Sequence, residues 1–130
     1  MQTIKAAVCH EYGAPLVIEE IRLTPPAAGE VEVTLDAVSI CHSDISYWEG
    51  KFGGVLPAVY GHEAAGRITA VGSGVREFAE GDDVIVTLIR ACGSCANCGS
   101  GKPTICTTAH DTTVHPLSTK DGGKIMQAMD

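Results

Sequence analysis

Positive charge is scarce in this sequence: 9 Lys and Arg stand against 16 Asp and Glu, giving a net charge of −7. A surface of that sign repels phosphate backbones and anionic lipid, which sets nucleic acids and membrane surfaces aside as partners. Long apolar runs are lacking as well. Lys5, Glu11, Glu19 and Glu20 interrupt the first twenty residues, and no stretch is long enough to span a bilayer. With no export signal in view, the expected compartment is the reducing cytoplasm, where six cysteines read as metal ligands or catalytic groups rather than disulfides. A dinucleotide fingerprint is missing too. Gly72-Ser73-Gly74 is followed by Glu77 where a third glycine would stand, and no strand-to-helix pattern surrounds it. At 130 residues the chain offers one domain with one modest core, with no room for a separate cofactor-binding half-sheet.

What is present is a series of short strands punctuated by glycine and proline. Thr3 to His10 and Leu16 to Ile21 are apolar, β-branched runs joined by the turn-rich Glu11-Tyr12-Gly13-Ala14-Pro15, which predicts a hairpin-like pair. Between Glu30 and Ile40, Val31, Val33, Leu35 and Ala37 alternate with polar residues, the period of a half-buried strand. The apolar phase flips at Val38 and Ile40, predicting a bulge just before Cys41. Cys41 to Gly50 reads as a short helix with Ser43 or Asp44 as N-cap. Phe52 to Pro57 reads as a loop, and Ala64 to Val71 and Asp83 to Ile89 as further strands. This is a mainly β pattern, that of a small barrel or sandwich. The last residues, Lys120 to Asp130, show no clear termination, as though the architecture continued.

From Arg90 to about Pro116 the periodic pattern dissolves, too long for a structureless loop unless something organises it. Cys92, Cys95, Cys98 and Cys106 fall there as C-x2-C-x2-C-x7-C, and Gly93, Gly99 and Gly101 supply permissive backbone. Four thiolates on such a loop suit tetrahedral zinc with no position left open, a structural site. Free surface cysteines are the plain alternative. An iron–sulfur cluster is the chemical one, although ferredoxin runs close after three residues with a following proline, and here the gap is seven and Thr107 follows.

A second constellation is Cys41-His42-Ser43-Asp44, with Gly61-His62-Glu63 about twenty residues on. A catalytic zinc takes three protein ligands and leaves one position for water or substrate, and Cys41 and His62 are candidates for two of them. Asp44 is placed to accept the free ring N–H of His62, or simply to cap the helix. Glu63 would approach the metal or form a nearby ion pair. Trp48, Phe52 and Tyr60 are candidates for an apolar substrate wall, or for core.

The order C-H-S-D, then G-H-E-x2-G-x5-G-x2-V from Gly61 to Val75, then the four-cysteine run resembles the zinc-containing alcohol dehydrogenases of the medium-chain dehydrogenase/reductase superfamily. The resemblance covers about Ala6 to Cys106. It implies a GroES-like catalytic domain, a partly open β-barrel spanning residues 1–130, with a structural zinc lobe over 90–116. It also implies that the Rossmann cofactor domain and one catalytic-zinc ligand lie beyond this stretch. Carried over by position, Cys41 and His62 are catalytic-zinc ligands, and Cys92, Cys95, Cys98 and Cys106 hold the structural zinc. Ser43 takes the place of the hydroxyl that binds the substrate alcohol, Asp44 that of the carboxylate behind the histidine, and Glu63 that of the carboxylate beside the metal. His42 falls where the family has a basic residue facing the cofactor pyrophosphate. Ser46 stands where many relatives have a histidine ending a proton relay, which puts the far end of that relay in question.

The implied activity is oxidation of an alcohol to an aldehyde or ketone, with hydride passed to NAD or NADP. The family is usually homo-oligomeric, and these 130 residues alone are expected to be inactive. A free-standing zinc-binding interaction module, or an iron–sulfur carrier, remains as the alternative.

Overall fold

The computed structural model describes residues 1–88, 91–107, 117–118 and 124–127. Its backbone pairs into a ring of five strands and a separate sheet of three. The elements in order are β1 (Gln2–Cys9), β2 (Val17–Leu23), β3 (Val31–Val38), α1 (His42–Trp48), β4 (Ala58–Val59), β5 (Ala64–Val71), β6 (Asp83–Val86) and α2 (Ala96–Gly99). A 3-10 turn (Pro103–Ile105) follows, then β7 (Leu117–Ser118) and β8 (Lys124–Gln127).

The expected hairpin is present: β1 and β2 pair antiparallel from Gln2↔Leu23 to Val8↔Val17. The ring continues from β2 through β7 and β8 to β4, and β4 closes it back onto β1 through Val8↔Val59 and Cys9↔Ala58. The β4–β8 ladder is parallel and the rest of the ring is antiparallel. Val8 and Ile21 are fully buried at its centre and pack with Ile4, Ala6, Leu23 and Val59. Burial of each such side chain contributes roughly 1.5 to 3 kcal/mol.

The second sheet has the order β3-β5-β6 and open edges. On β5, Gly66 and Ile68 are buried and alternate with exposed Ala65, Arg67 and Thr69, the period-2 pattern expected of that strand. Strand β3 departs from expectation. Val31 and Val33 are half-buried, but Leu35 is 49% exposed and Val38 57%. The register shows why. Leu35 pairs with Gly66 and Ala37 with Ala65, so Asp36 is the extra residue of a bulge. The bulge therefore falls earlier than the predicted site at Val38 to Ile40. It still serves to re-aim the chain into α1.

Candidate functional site

Helix α1 starts directly after β3 and carries one half of the site. Cys41 is its N-cap, with extended backbone (φ −90°, ψ 152°), which corrects the expectation that Ser43 or Asp44 would cap it. Asp44 works from the third helical position instead: its Oδ2 accepts the Cys41 backbone N–H at 3.0 Å, the reciprocal half of a capping box. The other half of the site arrives on the approach to β5, where Glu63 O accepts the Ser39 N–H at 2.9 Å and ties the two segments together.

His62 is buried between them. Its Nδ1 lies 3.0 Å from Asp44 Oδ1, at ion-pair distance but not aligned as a hydrogen bond, with both side chains nearly closed off from solvent, and among the described residues neither atom has a hydrogen-bond partner. Its Nε2 faces the other way, 3.3 Å from Ser43 Oγ and 3.8 Å from Glu63 Oε1. Cys41 Sγ, a His62 ring nitrogen and a Glu63 carboxylate oxygen all lie within 4.8 Å of one another. One soft thiolate, one imidazole and one carboxylate around a common point are a donor set that suits zinc, and the Asp44 carboxylate behind the imidazole fixes the tautomer that leaves Nε2 free to bind.

The remaining expected residues are placed as follows. His42 is the first helical residue and is exposed, and Ser46 is buried at 6% exposure. Trp48 donates its indole N–H to Ala14 O at 2.7 Å. It also lines an open apolar groove of about 380 Å³ with Leu16, Val38, Ile40, Ile45 and Tyr60. Asp44, whose carboxylate lies beside His62 Nδ1, borders that groove, whereas Ser43 and Glu63 do not line it. A residue absent from the sequence-based candidates is Tyr47, which meets Phe52 edge-on at 5.0 Å and stacks with Tyr60 at 6.1 Å. Its spacing of four from Ser43 was the available signal, since such residues share a helix face.

The four clustered cysteines also converge, with their sulfurs within 4.8 Å of one another. Gly93 and Gly101 take left-handed backbone (φ +74° and +79°), whereas Gly99 is helical, so two of the three expected glycines supply the turns. Cys95 caps α2, and the 3-10 turn delivers Cys106, held in place by the Asn97 amide donating to Ile105 O at 2.7 Å. Backbone N–H groups point at the sulfurs: Cys95 N–H at Cys92 Sγ (3.2 Å), Cys98 N–H at Cys95 Sγ (3.5 Å) and Cys92 N–H at Cys106 Sγ (3.4 Å). The N–H groups of Cys98 and Thr107 hold the Cys95 thiol down to about 7, while burial pushes Cys98 up to about 11. Amides aimed at sulfur stabilise thiolate, the form a metal takes. The residues of the expected lobe at 90 and 108–116 lie outside the described ones.

Two metal-suited clusters on a β domain of this topology define a class, and comparison with known proteins places the chain in it. Residues 27–127 match the alcohol dehydrogenase GroES-like domain, and the chain belongs to that family. It is 43% identical over 104 residues to alcohol dehydrogenase-like 6 of Arabidopsis thaliana, covering 80% of this chain and 27% of that protein. It is 45% identical over 105 residues to alcohol dehydrogenase class-3 of Zea mays, covering 80% of this chain and 28% of that protein. Among solved structures, an alcohol dehydrogenase zinc-binding domain protein from Burkholderia ambifaria superposes with a TM-score of 0.88 at 34% identity, over 97% of this chain and 36% of that one. The benzyl alcohol dehydrogenase of Acinetobacter calcoaceticus superposes with a TM-score of 0.80 at 30% identity, over 96% of this chain and 35% of that one. The chain thus spans about a third or less of the length of these relatives. Among the described residues no helix is long and apolar enough to cross a membrane.

Proposed function

We propose that this chain is the catalytic domain of a zinc-dependent alcohol dehydrogenase that oxidises a small alcohol to an aldehyde or ketone. The observation that carries the reading is the convergence of Cys41, His62 and Glu63 beside the Ser43 hydroxyl, 3.3 Å from His62 Nε2. Cys41 and His62 would hold the catalytic zinc and Glu63 would stand beside it, while Cys92, Cys95, Cys98 and Cys106 would hold a structural zinc. A zinc ion in the first site supplies Lewis acidity, lowering the pKa of a bound alcohol towards neutrality. Ser43 hydrogen-bonds the alcohol hydroxyl and relays its proton, accepting it as the Ser43 hydroxyl's own proton passes outward. Asp44 holds the imidazole in register, and buried Ser46 leaves the outer end of the relay to water.

His42, exposed at the start of α1, supplies the basic group for a cofactor pyrophosphate, NAD or NADP, held by a separate nucleotide-binding domain. Among the described residues there is no parallel strand-helix-strand unit for such a cofactor, so these 130 residues alone are proposed to be inactive. The whole enzyme is proposed to be cytoplasmic and homo-oligomeric, with no nucleic acid or membrane partner.

Elemental analysis of the chain purified without added metal is the direct test of the two metal sites, and two zinc ions per chain are expected. Iron would overturn both assignments, and a single zinc in the unaltered chain that is still bound after Cys41→Ser would restrict metal to the four-cysteine lobe. In the complete enzyme, Ser43→Ala should lower kcat/KM by roughly 10² to 10⁴ with zinc content unchanged, the usual range for loss of a positioned proton acceptor.

A further inference from the structure

The connection between β1 and β2 is fastened by three contacts, two to the far end of α1 and one to the loop that follows it. Gly13 N–H donates to Trp48 O at 2.8 Å, and the Trp48 indole N–H returns to Ala14 O at 2.7 Å. The third contact reaches further along the chain: Tyr12 donates its hydroxyl to Gly54 O at 3.0 Å, across 42 residues of sequence. Its ring also lies on Gly50, where an added Cβ would come 2.9 Å from Tyr12 Cγ.

The segment so held has little else to fix it. Gly50, Gly53 and Gly54 have φ of +78°, +68° and +125°, a left-handed backbone that costs a glycine chain much entropy to order. Its own closures are the Gly50 N–H to Tyr47 O, the Lys51 N–H to Ser46 O and the Gly53 N–H to Gly50 O, with an exposed Lys51–Glu49 ion pair beside them. Phe52 sits at its centre, 61% exposed, and its ring meets Tyr47 edge-on. Tyr47 follows Ser43 by four residues and shares its helix face, whereas Asp44, Ile45 and Trp48 turn to the apolar groove. The Phe52–Tyr47 pair therefore stands along the helix from the hydroxyl that receives the alcohol.

We infer that Tyr12 is a positioning residue for substrate choice: it holds the Gly50–Gly54 loop so that Phe52 and Tyr47, meeting edge-on, form a fixed aromatic wall with a corner for alcohols with an aromatic body. This rests on the dehydrogenase reading for the substrate and on the geometry alone for the clamp. Small alcohols do not reach the wall, so their turnover does not depend on it.

Two measurements separate the parts. Lys51 lies inside the loop with its side chain exposed, so trypsin reports loop opening at the Lys51–Phe52 bond. In the zinc-loaded 130-residue chain, Tyr12→Phe keeps the ring on Gly50 and deletes only the hydroxyl. Cleavage after Lys51 should rise about fivefold, the equilibrium effect of one lost hydrogen bond, with cleavage after Arg76 unchanged. Tyr12→Ala should exceed it. In the complete enzyme, Tyr12→Phe should raise KM for benzyl alcohol about fivefold, by the same loss of order, while kcat and the KM for ethanol stay within about twofold. Unchanged cleavage after Lys51 overturns the clamp, and equal KM changes for the two alcohols overturn the role in selectivity. An enzyme that oxidises neither alcohol overturns the dehydrogenase reading and the selectivity with it, and the Lys51 cleavage, which needs no activity, tells that failure from failure of the clamp.

Discussion

Asp44 joins the two donors of the candidate metal site: its Oδ2 accepts the Cys41 backbone N–H at 3.0 Å and its Oδ1 lies 3.0 Å from His62 Nδ1. One carboxylate thus sets both the start of α1 and the ring that faces Ser43 and Glu63. Removing it frees the imidazole to rotate and leaves buried Nδ1 with no carboxylate beside it. Asp44→Ala should weaken zinc at Cys41 and His62 by roughly 10- to 100-fold, the usual effect of losing a carboxylate behind a ligating histidine. The four-cysteine lobe, built on different elements, should keep its metal. Zinc titration against a chromogenic chelator resolves the two classes, and equal affinity in the variant would show that Asp44 only caps the helix.

The lobe has a predictable response to acid. Backbone N–H groups lower the Cys95 thiol to about 7, so near neutrality about half of this sulfur is already in the form a metal takes, and acid must compete for it. For the metal-free chain the sign is that of a depressed acid: stability is present above the ordinary value of 9.0 and is lost as pH falls through about 7. Zinc binding carries the same sign, since protonated thiols do not ligate. Chelator competition at about pH 8 and about pH 5.5 should show weaker retention in acid, and Cys106→Ser should lose one zinc per chain at either pH. A retained second zinc in Cys106→Ser would remove that sulfur from the ligand set.

Gly66 faces Leu35 across the β3–β5 ladder, beside the Asp36 bulge. A Cβ there would sit 2.1 Å from Thr34 O, a backbone atom in the register pair next to the Asp36 bulge. Gly66→Ala must therefore spread the two strands, at a cost of roughly 2 to 3 kcal/mol, the upper range for overpacking. The urea midpoint should fall accordingly. Because β3 leads into Cys41 and β5 follows Glu63, zinc binding at that site should weaken in parallel, and a variant with unchanged midpoint would mean that the sheet accommodates the methyl group.

Legibility in the sequence followed the physical scale of each signal. The β5 alternation from Ala64 to Val71 spans eight residues and gave the strand bounds directly. The spacing of Cys92, Cys95, Cys98 and Cys106 likewise marked sulfurs that the structure brings together. Strand β4, just past the Phe52–Pro57 loop, was not assigned, because Ala58–Val59 is too short to show a period and exists by pairing with β1 and β8. Strand β3 misled for another reason. Alternation promised a buried face at Leu35, but a bulge at Asp36 and an open sheet leave that side chain exposed, and no local pattern encodes which partner strand is absent. The chemistry was easier to find than its supports: Cys41 and His62 were evident as donors, while Cys41 as helix cap and Tyr47 as an aromatic hub required the fold.

Tyr60 supplies the remaining prediction, because it stands two residues before His62 and its phenol is pushed above its ordinary range by burial first and by the Cys9 thiol second. Its hydroxyl reaches Tyr47 O at 3.4 Å, so the neutral form is the one that fits. The sign follows from linkage. A raised acid contributes stability that is fully present below the unfolded value of about 10 and lost as pH rises beyond it, since the unfolded chain gives up the proton more readily than the folded one. The zinc-loaded chain should therefore show a falling urea midpoint between about pH 9 and about pH 11, and Tyr60→Phe, which cannot ionise, should flatten that fall while keeping the ring stacked on Tyr47. An equally steep fall in Tyr60→Phe would assign the alkaline loss to other groups.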